Sequence, residues 1–330
     1  MTDKGKKLVT IGGGSGQFAL LTGLMDIEGV DITAVVSMVD SGGSTGRLRD
    51  ELGILPPGDV LKCVLALSPH RDIVRNILLK RFSGDSRLQG HNAGNMLLTM
   101  LAEYTNSFPA GVRALAEILD ACGTILPVTV DKATLVAELT DGSRIYGQKA
   151  IDIPRELQRE QIRDIYLVPH YGDTISVYPP VIEAVTQADY IIIGPGDLFT
   201  SIIPNLIVPG VREAIQQTDA DVFYVVNIMT KFGETHNFTG YDFVRNIEEN
   251  IDRRVDGIIY NVKRPDQKIL TRYGKEKSEF VEIDENSQIW RNRAIYSSDL
   301  LSTTGGIIRH DPPKLASLIA KVILSTTSNQ

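Results

Sequence analysis

The sequence predicts an α/β fold of the Rossmann-like kind: a doubly wound, mostly parallel sheet with helices on both faces, plus a small antiparallel hairpin excursion. Three observations carry that prediction. Short runs rich in Val and Ile alternate with helix-length amphipathic segments. The runs are apolar nearly throughout, as strands covered on both faces are. Glycine-bearing loops directly follow three of them.

In chain order, strands are expected at 7–11 (KLVTI), 31–39 (DITAVVSMV), 189–194 (DYIIIG), 221–228 (DVFYVVNI) and 255–262 (VDGIIYNV). Helices are expected near 17–26, 59–82, 93–105, 110–121, 209–217, 240–250 and 313–325. Pro312-Pro313 makes a good opening for the last of these. The stretch 134–153 breaks the alternation, with two runs around Asp141-Gly142, a strong hairpin signal. With no low-complexity linker and no fixed-period repeat, residues 1–330 are expected to form a single Rossmann-like α/β unit. A hairpin-bearing subdomain is expected at about 130–175.

A chain of 330 residues is ample for a stable core. Its net charge of −7 argues against a general nucleic-acid binder and leaves room for a local basic pocket. The two cysteines, Cys63 and Cys122, have no metal-like spacing and are expected to be buried, reduced thiols. The opening MTDKGKKLVT has no apolar signal-peptide core, and no stretch reaches the ~18 apolar residues of a spanning helix. The expectation is a cytoplasmic protein with no membrane span.

The first glycine loop, IGGGSGQF, admits two frames. From Gly12 the third glycine position holds Gln17, so that frame fails. From Gly14, residues Gly14, Gly16 and Ala19 satisfy G-x-G-x-x-A. In either frame a strand ends, glycines let the backbone approach an anion, and a helix start offers N–H groups and partial positive charge. Gly12, Gly13, Gly14, Ser15 and Gly16 are therefore candidate phosphate contacts, with Ser15 and Gln17 adding hydrogen bonds. The alternative is a merely tight strand-to-helix corner. Asp40 stands where a dinucleotide site places its ribose-binding acid.

The densest polar cluster follows the second strand. Asp40, Gly43, Ser44 and Thr45 lie in a second glycine and hydroxyl loop, Asp40 to Gly46, with Arg47 and Arg49 after it. Pro56-Pro57-Gly58-Asp59 then opens a helix. Asp59 reads either as that helix's N-cap or as the partner of Asp40 around a divalent metal. In GHNAGNM (90–96), Asn92 reads as a cap with His91 solvated, or Asn92, Asn95 and His91 read a base or sugar. In the second half, Gly194, Pro195, Asp197, Thr200 and Ser201 follow an apolar strand and suit a phosphate or substrate anion. Asn227, Thr230, Lys231, Glu234, Thr235 and His236 fall near the same sheet edge. No G-x-S-x-G or H-E-x-x-H is present, which leaves a serine hydrolase or zinc peptidase without support.

Together, IGGGSG, VDSGGSTGRLR, LPPGD, GHNAGN, IIIGPGDLFTSIIPNL, NIMTKFGET and IIRHDP resemble the bacterial gluconeogenesis factor family, also called YvcK-like, over about residues 8 to 312. That family is similar in turn to the 2-phospho-L-lactate transferases of coenzyme F420 synthesis, the CofD-like superfamily. The resemblance implies a Rossmann-like core with a nucleoside diphosphate lying across the loops. It also implies a metal, Mg²⁺, held by the residues matching Asp40 and Asp59. The chain departs from the transferases at Ser41 to Gly46 and at GHNAGN, where acceptor and leaving group should sit. The gluconeogenesis factors are similar to UDP-sugar binders needed for cell shape and cell-wall growth on gluconeogenic carbon.

Three functions are thus weighed. The first is a regulatory binder of a UDP-sugar, UDP-GlcNAc or UDP-glucose, read by a protein partner in cell-wall regulation. The second is a Mg²⁺-dependent transferase of a phosphorylated small acid. The third is an NAD-dependent oxidoreductase, disfavoured because no proton relay is assigned, although His91, His236 and His310 are formally present. No catalytic residue is assigned, and a homodimer is expected from the resemblance to the transferases.

Overall fold

A computed structural model describes residues 5–84, 88–154, 159–291 and 293–325. In chain order its strands are β1 (Lys6–Gly12), β2 (Val30–Val36), β3 (Thr124–Pro127), β4 (Ala133–Leu139), β5 (Arg144–Tyr146), β6 (Ile162–Pro169), β7 (Tyr190–Ile193), β8 (Asp221–Val225), β9 (Gly257–Asn261), β10 (Ala294–Ser298) and the short pair β11 (Leu301–Ser302) and β12 (Arg309–His310). Among the described residues, β10-β9-β8-β7-β1-β2-β3 form a seven-stranded sheet in which every pairing is parallel. Leu8 and Ile11 of β1, Ile191, Ile192 and Ile193 of β7, and Val222, Tyr224 and Val225 of β8 are fully buried. Helices cover both faces of this sheet, so its central strands have no polar side to show.

On one side lie α1 (Gly14–Leu24), α3 (Gly58–Ala66), α6 (Phe108–Ile118) and α13 (Pro312–Ser325), with α1 packed against both α3 and α13. Three further helices, α2 (Gly43–Leu52), α4 (Arg71–Leu78) and α5 (Ala93–Tyr104), complete the long β2-to-β3 connection. The second group holds α8 (Pro179–Thr186), α9 (Ile203–Leu206), α10 (Val211–Gln217) and α11 (Gly240–Ile251), with α10 against α8, α9 and α11. A short α7 (Gln148–Asp152) follows β5, and α12 (Gln267–Lys275) follows β9. The chain steps outward through β1, β2 and β3, then restarts at β7 and steps the other way. The β1–β7 boundary is therefore the topological switch point, where open α/β sheets bind ligands.

The hairpin excursion is present: β4 and β5 pair antiparallel around Asp141-Gly142, and β6 adds to the other edge of β4. The second run ends at Tyr146, and the residues after Gly147 form α7 instead of more strand. Residues 155–158 of the expected subdomain lie outside the described residues.

Other expectations are corrected. The segment 59–82 is two helices, not one: α3 ends before Ser68-Pro69, where proline removes a helical donor. Strand β2 ends at Val36, short of 39. Ser41 to Gly46 is not all loop, because α2 starts at Gly43. Strands β3 and β10, at the sheet's two edges, lack the fully apolar signature of the centre; β10 is only partly buried. Cys63 is buried, but Cys122 is exposed. Among the described residues, no single helix is long and apolar enough to cross a membrane.

Gln17 also has a different role from the one expected. It is fully buried, and its Nε2 donates to the Val35 carbonyl at 3.0 Å and to Thr10 Oγ1 at 3.3 Å, while the Cys63 thiol donates to its Oε1 at 3.6 Å. It ties α1 to β1, β2 and α3, away from any ligand. Gln17→Leu is expected to lower unfolding free energy by about 1–3 kcal/mol, since it deletes several buried hydrogen bonds without opening a large cavity. Equilibrium urea denaturation measures this; an unchanged midpoint contradicts the assignment.

Candidate functional site

The loops leaving β1, β7 and β8 meet over the switch point and line a crevice of about 340 Å³. Gly13 to Gly16 form one wall, Pro195 to Asp197 with Ser201 another, and Asn227 to Lys231 a third; Tyr273 and the Ile308–His310 segment close the far side. The volume is in the range of small-molecule sites. No side chain caps α1, whose first-turn N–H groups lie at this crevice. An uncapped helix start is suited to an anion.

The glycines of the first loop have distinct physical reasons. Gly14 sits at φ +64°, a conformation that L side chains rarely adopt. At Gly16, a Cβ would lie 2.2 Å from the carbonyl oxygen of Pro195. That glycine is needed for the two loops to touch. Gly16 thus serves the close approach of one loop to another, within the crevice wall. Asn205, fully buried, locks the same contact by donating to the carbonyls of Gly12 at 3.0 Å and Ser201 at 2.8 Å.

Of the expected contacts, Gly13, Gly14, Ser15, Gly16, Pro195, Asp197 and Ser201 line this crevice. Gly12, the end of β1, and Gly194, the residue after β7, do not line it. Thr200 also turns away: its hydroxyl donates to both oxygens of Glu234 at 3.2 Å. Glu234 is buried and belongs to a knot around Lys231, whose ammonium meets Glu234 at 2.9 Å, Asp197 at 2.8 Å and Asp152 of α7. The three carboxylates come within 4.8 Å of one another. The site that they shape is filled by the protein's own cation. Burial pushes Glu234 up to about 7, with the charges of Asp197 and Asp152 adding to it and Lys231 opposing it. The same carboxylates overcome desolvation and keep Lys231 protonated.

Asp40, Gly43, Ser44, Thr45, Asn92 and Asn95 gather in a second cluster beyond Gly13. Asn92 caps α5, accepting from the Asn95 N–H at 2.7 Å, but His91 is buried, not solvated. Arg47 Nε donates to His91 Nε2 at 3.1 Å, so the ring proton is on Nδ1 and points at Ser44 Oγ, 3.0 Å away. Burial, with the charge of Arg47 adding to it, keeps the ring neutral. In this tautomer the ring donates to Ser44 Oγ and does not accept its proton. Asn95 Nδ2 adds a bond to Ser44 Oγ at 3.2 Å.

Asp40 and Asp59 do come together. Burial raises the Asp40 carboxyl first and the negative charge of Asp59 second. Asp59 is in the first turn of α3 and makes no cap bond; it pairs with Lys62 at 2.8 Å instead. Its Oδ2 lies beside Gly13, 3.1 Å from where a Cβ would stand, so it touches both clusters. Two carboxylates and the partnerless buried Ser37 hydroxyl, next to the same glycine, are a donor set that fits Mg²⁺. Sequence reading named IIRHDP as a family motif and His310 only as a formal relay, and gave Tyr273 no role; that these segments close the crevice follows from tertiary structure.

The family described as 2-phospho-L-lactate transferase CofD matches residues 8–301. A Thermotoga maritima protein that carries the gluconeogenesis factor name is 39% identical over 319 residues, 96% of this chain and 99% of that one. The Gluconeogenesis factor of Halalkalibacterium halodurans is 35% identical over 327 residues, 99% of each. A crystal structure of a Bacillus halodurans protein superposes with a TM-score of 0.88 at 34% identity, covering 96% of this chain and 99% of that chain.

Two outcomes are expected. Gly16→Ala forces a backbone against a backbone and should separate the β1 and β7 loops, with a loss of at least about 2 kcal/mol in denaturant titration; retention of wild-type stability contradicts the contact. Lys231→Met removes the charge that opposes the burial of Glu234, so the Glu234 carboxyl is held still further above its value in the unfolded chain. Stability is then favoured at low pH and lost as pH rises through the folded value. The variant's Tm should fall from pH 5.5 to 8.5 more steeply than the wild type's; parallel curves refute the knot.

Proposed function

The chain belongs to the 2-phospho-L-lactate transferase CofD family and stands with its gluconeogenesis factors, and from that premise we propose that it is a regulatory nucleotide-sugar binder. Its ligand is a UDP-sugar, UDP-GlcNAc or UDP-glucose, with the diphosphate on the uncapped start of α1 and the rest reaching toward the Ile308–His310 wall. In this reading the occupied state is reported to a protein partner, in the cytoplasm, to adjust cell shape and wall growth during gluconeogenic growth. The chain acts as one Rossmann-like unit and pairs as a homodimer.

The observation that carries the proposal is the crevice at the switch point, walled by three strand-end loops and the uncapped first turn of α1. A binder needs only these loops. The dinucleotide oxidoreductase is disfavoured by the same geometry: Asp40, its ribose acid, faces Asp59 and Thr45 instead of the crevice. A transferase reading keeps one specific support, the Asp40–Asp59 pair beside Gly13. There Mg²⁺ would neutralise phosphate charge, with Asp40 and Asp59 holding it.

The test is a thermal-shift series with UDP-GlcNAc, GDP and NAD, each with and without Mg²⁺, with the ligand recovered and assayed. UDP-GlcNAc is expected to raise Tm the most and to be recovered intact. Binding at 100 times Kd stabilises by about 2.7 kcal/mol, a shift of a few degrees for a chain of this size. Asp40→Asn should abolish any Mg²⁺-dependent increment and leave the basal shift in place. Metal-dependent consumption of a ligand would replace this reading with the transferase.

A further inference from the structure

At the crevice wall built by β8 and β12, two side-chain atoms are buried without a protein partner: His310 Nε2 and Asn227 Oδ1. Each side chain is fixed by a backbone carbonyl. The Val226 carbonyl receives the His310 ring's hydrogen bond, and Asn227 is the next residue. Asn227 Nδ2 donates to the Gly196 carbonyl at 2.8 Å, which fixes the amide and leaves Oδ1 as the free end. His310 is 8% exposed, and burial lowers its pKa to about 4, so the ring is neutral. Buried polar atoms in native proteins are almost always satisfied, and an orphaned one in a crevice wall needs an explanation. Here the two orphans are neutral groups on residues that line one crevice.

We propose that His310 and Asn227 form the subsite for the hydroxyl-bearing ring of the crevice's ligand. The chemistry selects hydroxyls. Asn227 Oδ1 can only accept, and so can His310 Nε2, because the neutral ring's one N–H, on Nδ1, is spent on the Val226 carbonyl. Each needs a neutral donor, and vicinal hydroxyls of a sugar ring supply two such donors side by side. A phosphate oxygen has no proton for Asn227 Oδ1. The ring is the hexose or the ribose of a nucleotide-sugar. This inference rests on the nucleotide-sugar reading above and adds to it which residues read the sugar.

The experiment is isothermal titration of UDP-glucose and of UDP into the wild type, His310→Phe and His310→Asn, each checked for wild-type circular dichroism. The phenylalanine variant keeps the ring's volume, and the asparagine variant keeps one polar group near the Val226 carbonyl while removing Nε2. Loss of one neutral hydrogen bond should weaken binding by about 3- to 10-fold. Weakening confined to UDP-glucose assigns the subsite to the hexose, and equal weakening of both ligands assigns it to the ribose. Variants that fold and bind both ligands as tightly as the wild type overturn the subsite while leaving the nucleotide-sugar reading intact. A wild type that binds neither ligand overturns that reading itself.

Discussion

The contact on which the site depends is backbone against backbone. Gly16 at the start of α1 meets the carbonyl of Pro195 with no room for a methyl group. Two loops from strands that neighbour in the sheet but lie some 180 residues apart in the chain are thereby brought into one wall. Asn205 holds the arrangement from behind through the Gly12 and Ser201 carbonyls. The parallel sheet delivers both strand ends to the same edge, but only small residues and a buried amide let the ends close into a crevice.

A second layer of organisation is electrostatic. Lys231 gathers Asp152 from the antiparallel excursion, Asp197 from the β7 loop and Glu234 from its own loop. Desolvating one ammonium and three carboxylates is costly, and the geometry compensates because every member has a partner. The antiparallel three-stranded sheet is thus pinned to the crevice rim by its α7, and the same ammonium lines the crevice where a ligand anion would lie. Asp40, Asp59 and Lys62 form a smaller version of this arrangement on the other side of Gly13.

Much of this was legible in the sequence, and the exceptions have physical reasons. Strands β1, β7, β8 and β9 announced themselves because strands buried on both faces must be apolar throughout. The edge strands β3 and β10 did not, because an edge requires less burial. The glycine loops were visible as motifs, yet the role of each residue was not. Gln17 looked like a ligand contact and is a core staple; Thr200 looked like a phosphate hydroxyl and serves Glu234; Asn92 is the cap it resembled. His91 was read as solvated or as a reader of a base, and Arg47, 44 residues away in the chain, decides that it is neither. His310 and Tyr273 reach the crevice through tertiary structure alone. A motif records which residue types are present, while the partner that uses up each polar atom is set by contacts between distant segments.

The central claim is that a nucleotide-sugar occupies the crevice at the β1–β7 switch point. A crystal structure of the protein grown with UDP-glucose tests it most directly. The diphosphate is expected at the Gly13–Gly16 turn and a sugar ring against His310 and Asn227. Well-ordered nucleotide bound elsewhere, or a crevice without nucleotide at saturating ligand, would contradict it.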